Sequence, residues 1–410
     1  MSEALRFDLT DPQLKRDPYP IFKALRDTEP LHFSPLGFWI ATRYEDVRAI
    51  LMDRTNFGQG DFLSNIRLFY GPDFDVLSHS AYRWLSEIFL YQDPPRHTRV
   101  RGLVTQALTA RRVIEMRPRV QAVADRLLDA VAGKGRMEVI HEFAYRFPTL
   151  VMCDMLGLSP EEASDEVLVA LNQAIADSFV VFEMRAFSDA ELGLANRQMD
   201  FLLDFFGSVI ADRRRNPRDD LATALCNARD ENGPLSDHEI ATVAIGLFGA
   251  GFETTAHMIG NGLLSLARFP DQWAKLVADP DLAEPATEEI LRYESSLVGT
   301  NRTAFTDTEV GGKLIRAGER VLTLVAAGNR DPAVFEEPDR FDITRKGPKH
   351  LSFGGGIHFC VGAELARLEG EIALKSLVAR FPHMQIDTAS AQWRQEGFMF
   401  RGLTKLDVSW

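Results

Sequence analysis

Cysteine is scarce in this chain of 410 residues, with only Cys153, Cys226 and Cys360, an odd and widely spaced set. Such a set builds no disulfide framework and argues for a reducing compartment. No CxxC pair is present, so a zinc or iron–sulfur site has no second thiolate to draw on. Long apolar runs are missing too. The longest, roughly Ile240 to Phe252, is interrupted by glycine and too short to span a bilayer. The opening stretch MSEALRFDLTDPQLKRDPYP has no apolar core of signal-peptide length, so a cytoplasmic protein without a membrane anchor is expected. Positive charge is in deficit: 46 Lys+Arg against 59 Asp+Glu leave a net charge of -13, which argues against general nucleic-acid binding. No repeat, low-complexity tract or Gly/Ser linker divides the chain, and one domain over residues 1–410 is expected. No GxGxxG sits between a strand-like and a helix-like segment, so no nicotinamide or flavin module is visible.

What is present is ordinary globular material, 45% hydrophobic and 26% charged, enough for a large core. Helical periodicity dominates. RVIEMRPRVQAVADRLLDAVAGKG places apolar residues three and four apart and stops at a glycine. LHFSPLGFWIATRYEDV predicts a hairpin turning at Pro35 and Gly37, and TEVGGKLIRAGERVLTLVAAG a second strand pair. FMFRGLTKLDVSW predicts a last strand. The expected class is mainly α with small peripheral sheets, because β–helix alternations are too few for a doubly wound fold.

Two stretches carry chemistry. In HLSFGGGIHFCVGAELARLEGEIAL, three glycines precede Cys360, and Leu365, Leu368 and Ile372 mark one face of a helix that follows. A thiolate is stabilised at such a helix start, and it suits a nucleophile or a metal ligand. For a cysteine hydrolase the nearest base, His358, is only two residues away. The second stretch is SDHEIATVAIGLFGAGFETTAHMIGNGLLSLARFP. Ser236 and Glu239 predict a capping box, and the helix can run to Arg268, before Pro270. It is apolar on all sides in its middle, hence buried, yet it contains Gly246, Gly249 and Gly251. Each glycine costs about 1 kcal/mol against alanine. The pattern predicts that something flat or bulky approaches the helix backbone near Glu253, Thr254 and Thr255.

Together these stretches resemble the cytochrome P-450 superfamily. Phe353, Gly356, His358, Cys360 and Gly362 fit its cysteine motif. Ala250, Gly251, Glu253, Thr254 and Thr255 fit its long-helix motif. Glu289 and Arg292 fit its Glu-x-x-Arg pair, with Arg340 as the expected third member. QDPPRHTRVR resembles the family's helix at the haem edge. The resemblance covers essentially the whole chain and implies the cytochrome P-450 fold, with a long central helix over a haem.

It also implies roles. Cys360 would be the axial thiolate of haem b (iron protoporphyrin IX), with Phe353 beside the sulfur. Gly354 and Gly362 would let the porphyrin approach, and Ala250 would face the oxygen side. His97, Arg101, Arg302, His358 and, as a further member, His350 would meet the haem propionates. Glu253 and Thr254 would deliver protons during O2 activation. The implied activity is a monooxygenase that inserts one oxygen atom of O2 into a C–H bond. Its substrate would be a medium-to-large hydrophobic molecule: a terpenoid, steroid, fatty acid or aromatic. Gly246, Gly249, Val298, Thr300, Met399 and Phe400 would wall the pocket, and Phe62, Phe69, Phe179 and Phe182 would belong to a lid. A separate iron–sulfur ferredoxin with its own reductase would supply electrons to a monomer. The stretch Arg96 to Arg119, rich in arginine with Glu115 as its single acid, would be the docking face. Two other classes stay open: a haem-thiolate enzyme that rearranges peroxides, and a non-catalytic haem sensor.

Overall fold

The computed structural model describes residue 7 and residues 11–159, 162–183, 185–395 and 397–410. It is mainly helical with small sheets, and it groups into two compact units. One comprises Met1–Gly60, Val120–Phe147 and Glu253–Trp410; the other comprises Asp61–Arg119 and Pro148–Phe252.

The first unit contains the largest sheet. The expected hairpin forms, with Leu31–Phe33 antiparallel to Trp39–Ala41 and Gly37 left-handed (φ 84°) in its turn. Trp39–Ala41 pairs in parallel with Arg320–Thr323, which pairs antiparallel with Thr300–Ala304; Phe57–Gly58 completes the order. Thr308–Val310 and Lys313–Ile315 form a separate hairpin. The apolar faces pack on Tyr44, Val47, Ile50, Leu51 and Phe335. A second cluster joins helix Ala283–Tyr293 to helix Ala363–Arg380 through Ile290, Leu291, Leu374 and Val378. The last strand is two short ones, Leu403–Lys405 and Asp407–Ser409.

Glu289 and Arg292 are buried and bonded side-on at 2.7 and 2.8 Å. The expected third member is corrected. The Arg340 side chain is about half exposed and turns to Glu337 at 3.0 Å, contributing only its carbonyl to Arg292. Arg345 reaches Glu289 instead, at 3.3 Å.

The second unit is helical. Helix Asp189–Arg215 opens with a capping box from Ser188 and Glu191 and buries the stripe Leu192, Ala195, Met199, Leu202 and Phe206. Trp84, on Ser80–Glu87, is buried and donates its indole N–H to the Thr242 carbonyl at 3.2 Å. The single helix expected through RVIEMRPRV is broken into Ala110–Glu115 and Arg117–Ala132. Pro118 is the reason: it has no N–H and suits the first turn of a new helix.

Helix Asp237–Arg268, 32 residues and roughly 50 Å long, contributes to both units. Its capping box is present: Ser236 N–H donates to the Glu239 carboxylate at 2.8 Å and Glu239 N–H to the Ser236 hydroxyl at 3.2 Å.

Candidate active site

The thiols are chemically unequal. Cys153 and Cys226 are buried, and burial pushes the Cys153 thiol up to about 12 and raises that of Cys226. Cys360 is exposed. Gly354 (φ 70°) and Gly356 (φ 62°) are both left-handed, and a Cβ on Gly356 would lie 2.5 Å from the Leu51 carbonyl oxygen. These positions require glycine. The turn Gly356–His358 brings the chain back, so that Cys360 N–H donates to the Phe353 carbonyl at 2.9 Å. Gly362 then caps helix Ala363–Arg380, where a Cβ would sit 4.0 Å from Cys360 Sγ. Phe353 is buried, with the Arg367 guanidinium 4.7 Å above its ring. The thiol is thus carried on a glycine-dependent turn just upstream of a helix N-terminus, where a thiolate is favoured.

The cations expected around a haem are carried on separate elements. Arg302 is buried on strand Thr300–Ala304 and donates to the Asn301 carbonyl at 2.6 Å. His358 is half-buried at the end of the cysteine turn. His97 is buried and Arg101 half-buried, one turn apart on helix Arg96–Ala107. His350 is committed elsewhere: its Nε2 lies 3.5 Å from Glu288, and Ser352 N–H donates to its Nδ1. Burial would raise the Glu288 carboxyl, yet His350 and Arg367 pull it down to about 2.

Between residues 240 and 266 of the long helix, only Gly246, Ala250, Gly251 and Thr254 are not buried. Gly246, Ala250 and Thr254 are four apart and form one accessible stripe. The other glycines admit side chains of their own unit rather than a foreign group. A Cβ on Gly249 would fall 2.4 Å from the Phe179 ring, and one on Gly251 2.5 Å from Met152 Sδ. Phe179 is itself buried and stacked on Trp84 at 5.1 Å, so it and Gly249 are packing residues. Phe182 is half-buried.

Glu253 is buried beside this stripe. Burial alone would raise its carboxyl, but His257 and Arg394 hold it below the usual carboxylate value. A second acid, not singled out from the sequence, lies nearby. Thr255 Oγ1 donates to Glu369 Oε2 at 3.2 Å, and burial pushes the Glu369 carboxyl up to about 8. The signal was a glutamate four residues after Leu365, on the buried face of its helix.

Val298 and Met399 are buried and joined by the Val298 N–H to Met399 carbonyl bond at 2.9 Å; Thr300 and Phe400 are half-buried. The basic stretch is less basic in space than in sequence. Arg99 faces Asp230 at 3.3 Å and Glu239 at 3.6 Å, Arg112 faces Asp219 at 3.0 Å, and Arg119 faces Asp154 at 3.4 Å. Among the described residues, no helix is long and apolar enough to cross a membrane.

The sequence model of the family described as Cytochrome P450 matches residues 62–400. Cytochrome P450 107B1 of Saccharopolyspora erythraea is 39% identical, over 91% of this chain and 89% of its own length. The 6-deoxyerythronolide B hydroxylase of the same organism is 36% identical over 98% of each chain. The crystal structure of P450BioI in complex with an acyl carrier protein ligated to hexadec-9Z-enoic acid superposes with a TM-score of 0.88 at 34% identity, covering 98% of this chain and 100% of that one. With the cysteine turn and the acid–hydroxyl pair in the family's order, the chain belongs to the cytochrome P450 family and is a haem monooxygenase.

Proposed function

We propose that this chain, with residues 1–410 acting as one haem domain, hydroxylates a medium-to-large hydrophobic substrate. Cys360 is the thiolate ligand of haem b, and a separate ferredoxin with its reductase is the electron source. One observation carries the reading: of the three thiols only Cys360 is exposed, on a turn whose backbone requires glycine at Gly354 and Gly356. The donor set fits a soft, single-thiolate site. When bound, the haem supplies oxygen activation and hydroxylation, to which a thiolate ligand lends electron density.

The chain's own residues prepare that chemistry. Phe353, fixed under Arg367, would pack beside the sulfur once the haem is bound. His97, Arg101, Arg302 and His358 neutralise the propionates; His350 does not, being paired with Glu288. Gly354 and Gly362 keep side chains away from the ring, and Ala250 presents only a methyl group. Thr254 orders water on the accessible stripe, and Glu253 relays protons to it from solvent. A buried acid beside an accessible threonine favours O2-dependent hydroxylation over peroxide rearrangement, which needs no proton delivery.

Gly246, Thr300, Phe182 and Phe400, each at least partly accessible, are the substrate contacts we propose, and the Val298 N–H to Met399 carbonyl bond ties together the segments that carry Thr300 and Phe400. The ligand of the P450BioI complex, a hexadec-9Z-enoic acid on a carrier protein, is of the size class we propose. The test is reconstitution with a surrogate ferredoxin and its reductase. Hydrophobic candidates are screened for the blue shift that follows displacement of iron-bound water, and each binder is scored for hydroxylated product per NADH consumed. Binding without O2-dependent product would overturn the reading.

A further inference from the structure

His257 lies one helical turn beyond Glu253 and has no place in the roles given so far. Its side chain is fully buried, and neither ring nitrogen has a hydrogen-bond partner in the structure. A buried polar side chain in that condition calls for an explanation. The ring is also immobilised. A Cβ on Gly402 would fall 1.9 Å from its Nδ1 and 2.2 Å from its Cγ, so only glycine fits there. The Tyr145 ring stands edge-on at 5.9 Å. Among the described residues, the titratable groups that face His257 or its neighbour Glu253 are Glu253 on its own helix, Tyr145 and Arg394. Glu253 Oε1 is 3.8 Å from His257 Nε2 and 3.7 Å from Arg394 Nη1, so the imidazole and the guanidinium converge on one carboxylate oxygen. These distances are in ion-pair range but too long for hydrogen bonds. Arg394 Nη1 likewise has no hydrogen-bond partner, and its side chain is the most exposed of the three, at 16% against 10% for Glu253 and 0% for His257.

We propose that His257 is a positioning residue that recharges Glu253 with protons, while Arg394 holds the carboxylate on the solvent side of the exchange. The step is a single proton transfer. Imidazolium Nε2–H passes its proton to the Glu253 carboxylate, leaving neutral imidazole and a carboxylic acid, and the imidazole then regains a proton by way of water at Arg394. No electrons move. His257 and Arg394 together hold the Glu253 carboxyl below its ordinary value, so a proton taken up from His257 is passed on rather than kept. The inference rests on the reading of Glu253 as the proton donor.

Two measurements on the haem-loaded protein test it. The first is a pH titration of histidine-labelled protein by NMR in the diamagnetic ferrous–carbonmonoxy state, with His257 assigned by its loss in His257→Gln. The His257 midpoint is expected to fall in Glu253→Gln, which removes the stabilising carboxylate, and to rise in Arg394→Gln, which removes a repelling cation. A midpoint unmoved by both substitutions overturns the proposal. The second is coupled turnover against pH. His257→Gln is expected to lower product formation about tenfold or more at unchanged substrate KM, and to flatten one limb of the pH profile of turnover. If Glu253→Gln leaves rate and coupling unchanged, the reading of Glu253 fails. If Glu253→Gln is impaired while His257→Gln keeps the parent pH profile, this inference alone fails. Should His257→Gln not fold, Arg394→Gln at the more exposed end must still displace the His257 midpoint and the pH limb, and its failure to do either refutes the proposal.

Discussion

Glu369→Gln should change the pH dependence of stability by a calculable amount. The Glu369 carboxyl is fully buried, accepts one bond from Thr255, and is pushed up to about 8 from an ordinary 4.5. In the unfolded chain it ionises near its ordinary value. Through the window between the two values the native state therefore holds a proton that the unfolded state has lost. Native stability falls as pH rises across that window, with a limiting slope of about 1.4 kcal/mol per pH unit. It is flat below the window, where both states are protonated, and flat above it, where both are ionised. Integrated from about pH 5 to about pH 8, the loss is roughly 3–4 kcal/mol. Glutamine keeps the shape and the acceptor for Thr255 but cannot ionise. Equilibrium urea unfolding of the two proteins should thus diverge by that amount with rising pH, the variant gaining. The parent should also show the infrared C=O band of a protonated buried acid at neutral pH, absent from the variant. Parallel stability curves together with no protonated-acid band would refute the reasoning.

Three further outcomes follow from geometry already described. Gly402→Ala should cost about 3 kcal/mol or more through the clash with His257, and His257→Ala in the same chain should recover much of it; thermal unfolding of the two variants checks this. Arg345→Ala should cost about 2 kcal/mol by stripping a cation from buried Glu289, whereas Arg340→Ala should leave the melting point where it is. Thr254→Ala should retain haem and substrate binding but divert oxygen to released hydrogen peroxide, measured as peroxide and product per NADH.

The features legible in the sequence are local. The capping box of Ser236 and Glu239 and the proline after Arg268 bound the long helix to within a residue, because helix ends are written in the residues that satisfy orphan backbone groups. The cysteine turn was legible for the same reason: consecutive glycines have few uses, and here two of them take left-handed conformations. What escaped is long-range. The acids that face Arg99, Arg112 and Arg119 come from Asp154, Asp219, Asp230 and Glu239, all outside the arginine-rich stretch, so counting charges along the chain overstated the patch. Arg340 and Arg345 are five residues apart on an irregular loop, and only its path decides which one reaches Glu289. Gly249 was expected to make room for a foreign group, yet it makes room for Phe179, a partner 70 positions earlier. Arg394 meets Glu253 across 141 positions, a pairing to which no periodicity points.

The central claim is that Cys360 is the haem thiolate, and the carbon monoxide difference spectrum of the reduced protein tests it most directly. The parent, Cys153→Ser and Cys226→Ser should each give the strongly red-shifted band of a thiolate-ligated carbonmonoxy haem, since both buried thiols are disfavoured as thiolates. Cys360→Ser should bind haem without that band. A Cys360→Ser protein that keeps the red-shifted band would contradict the account at its root.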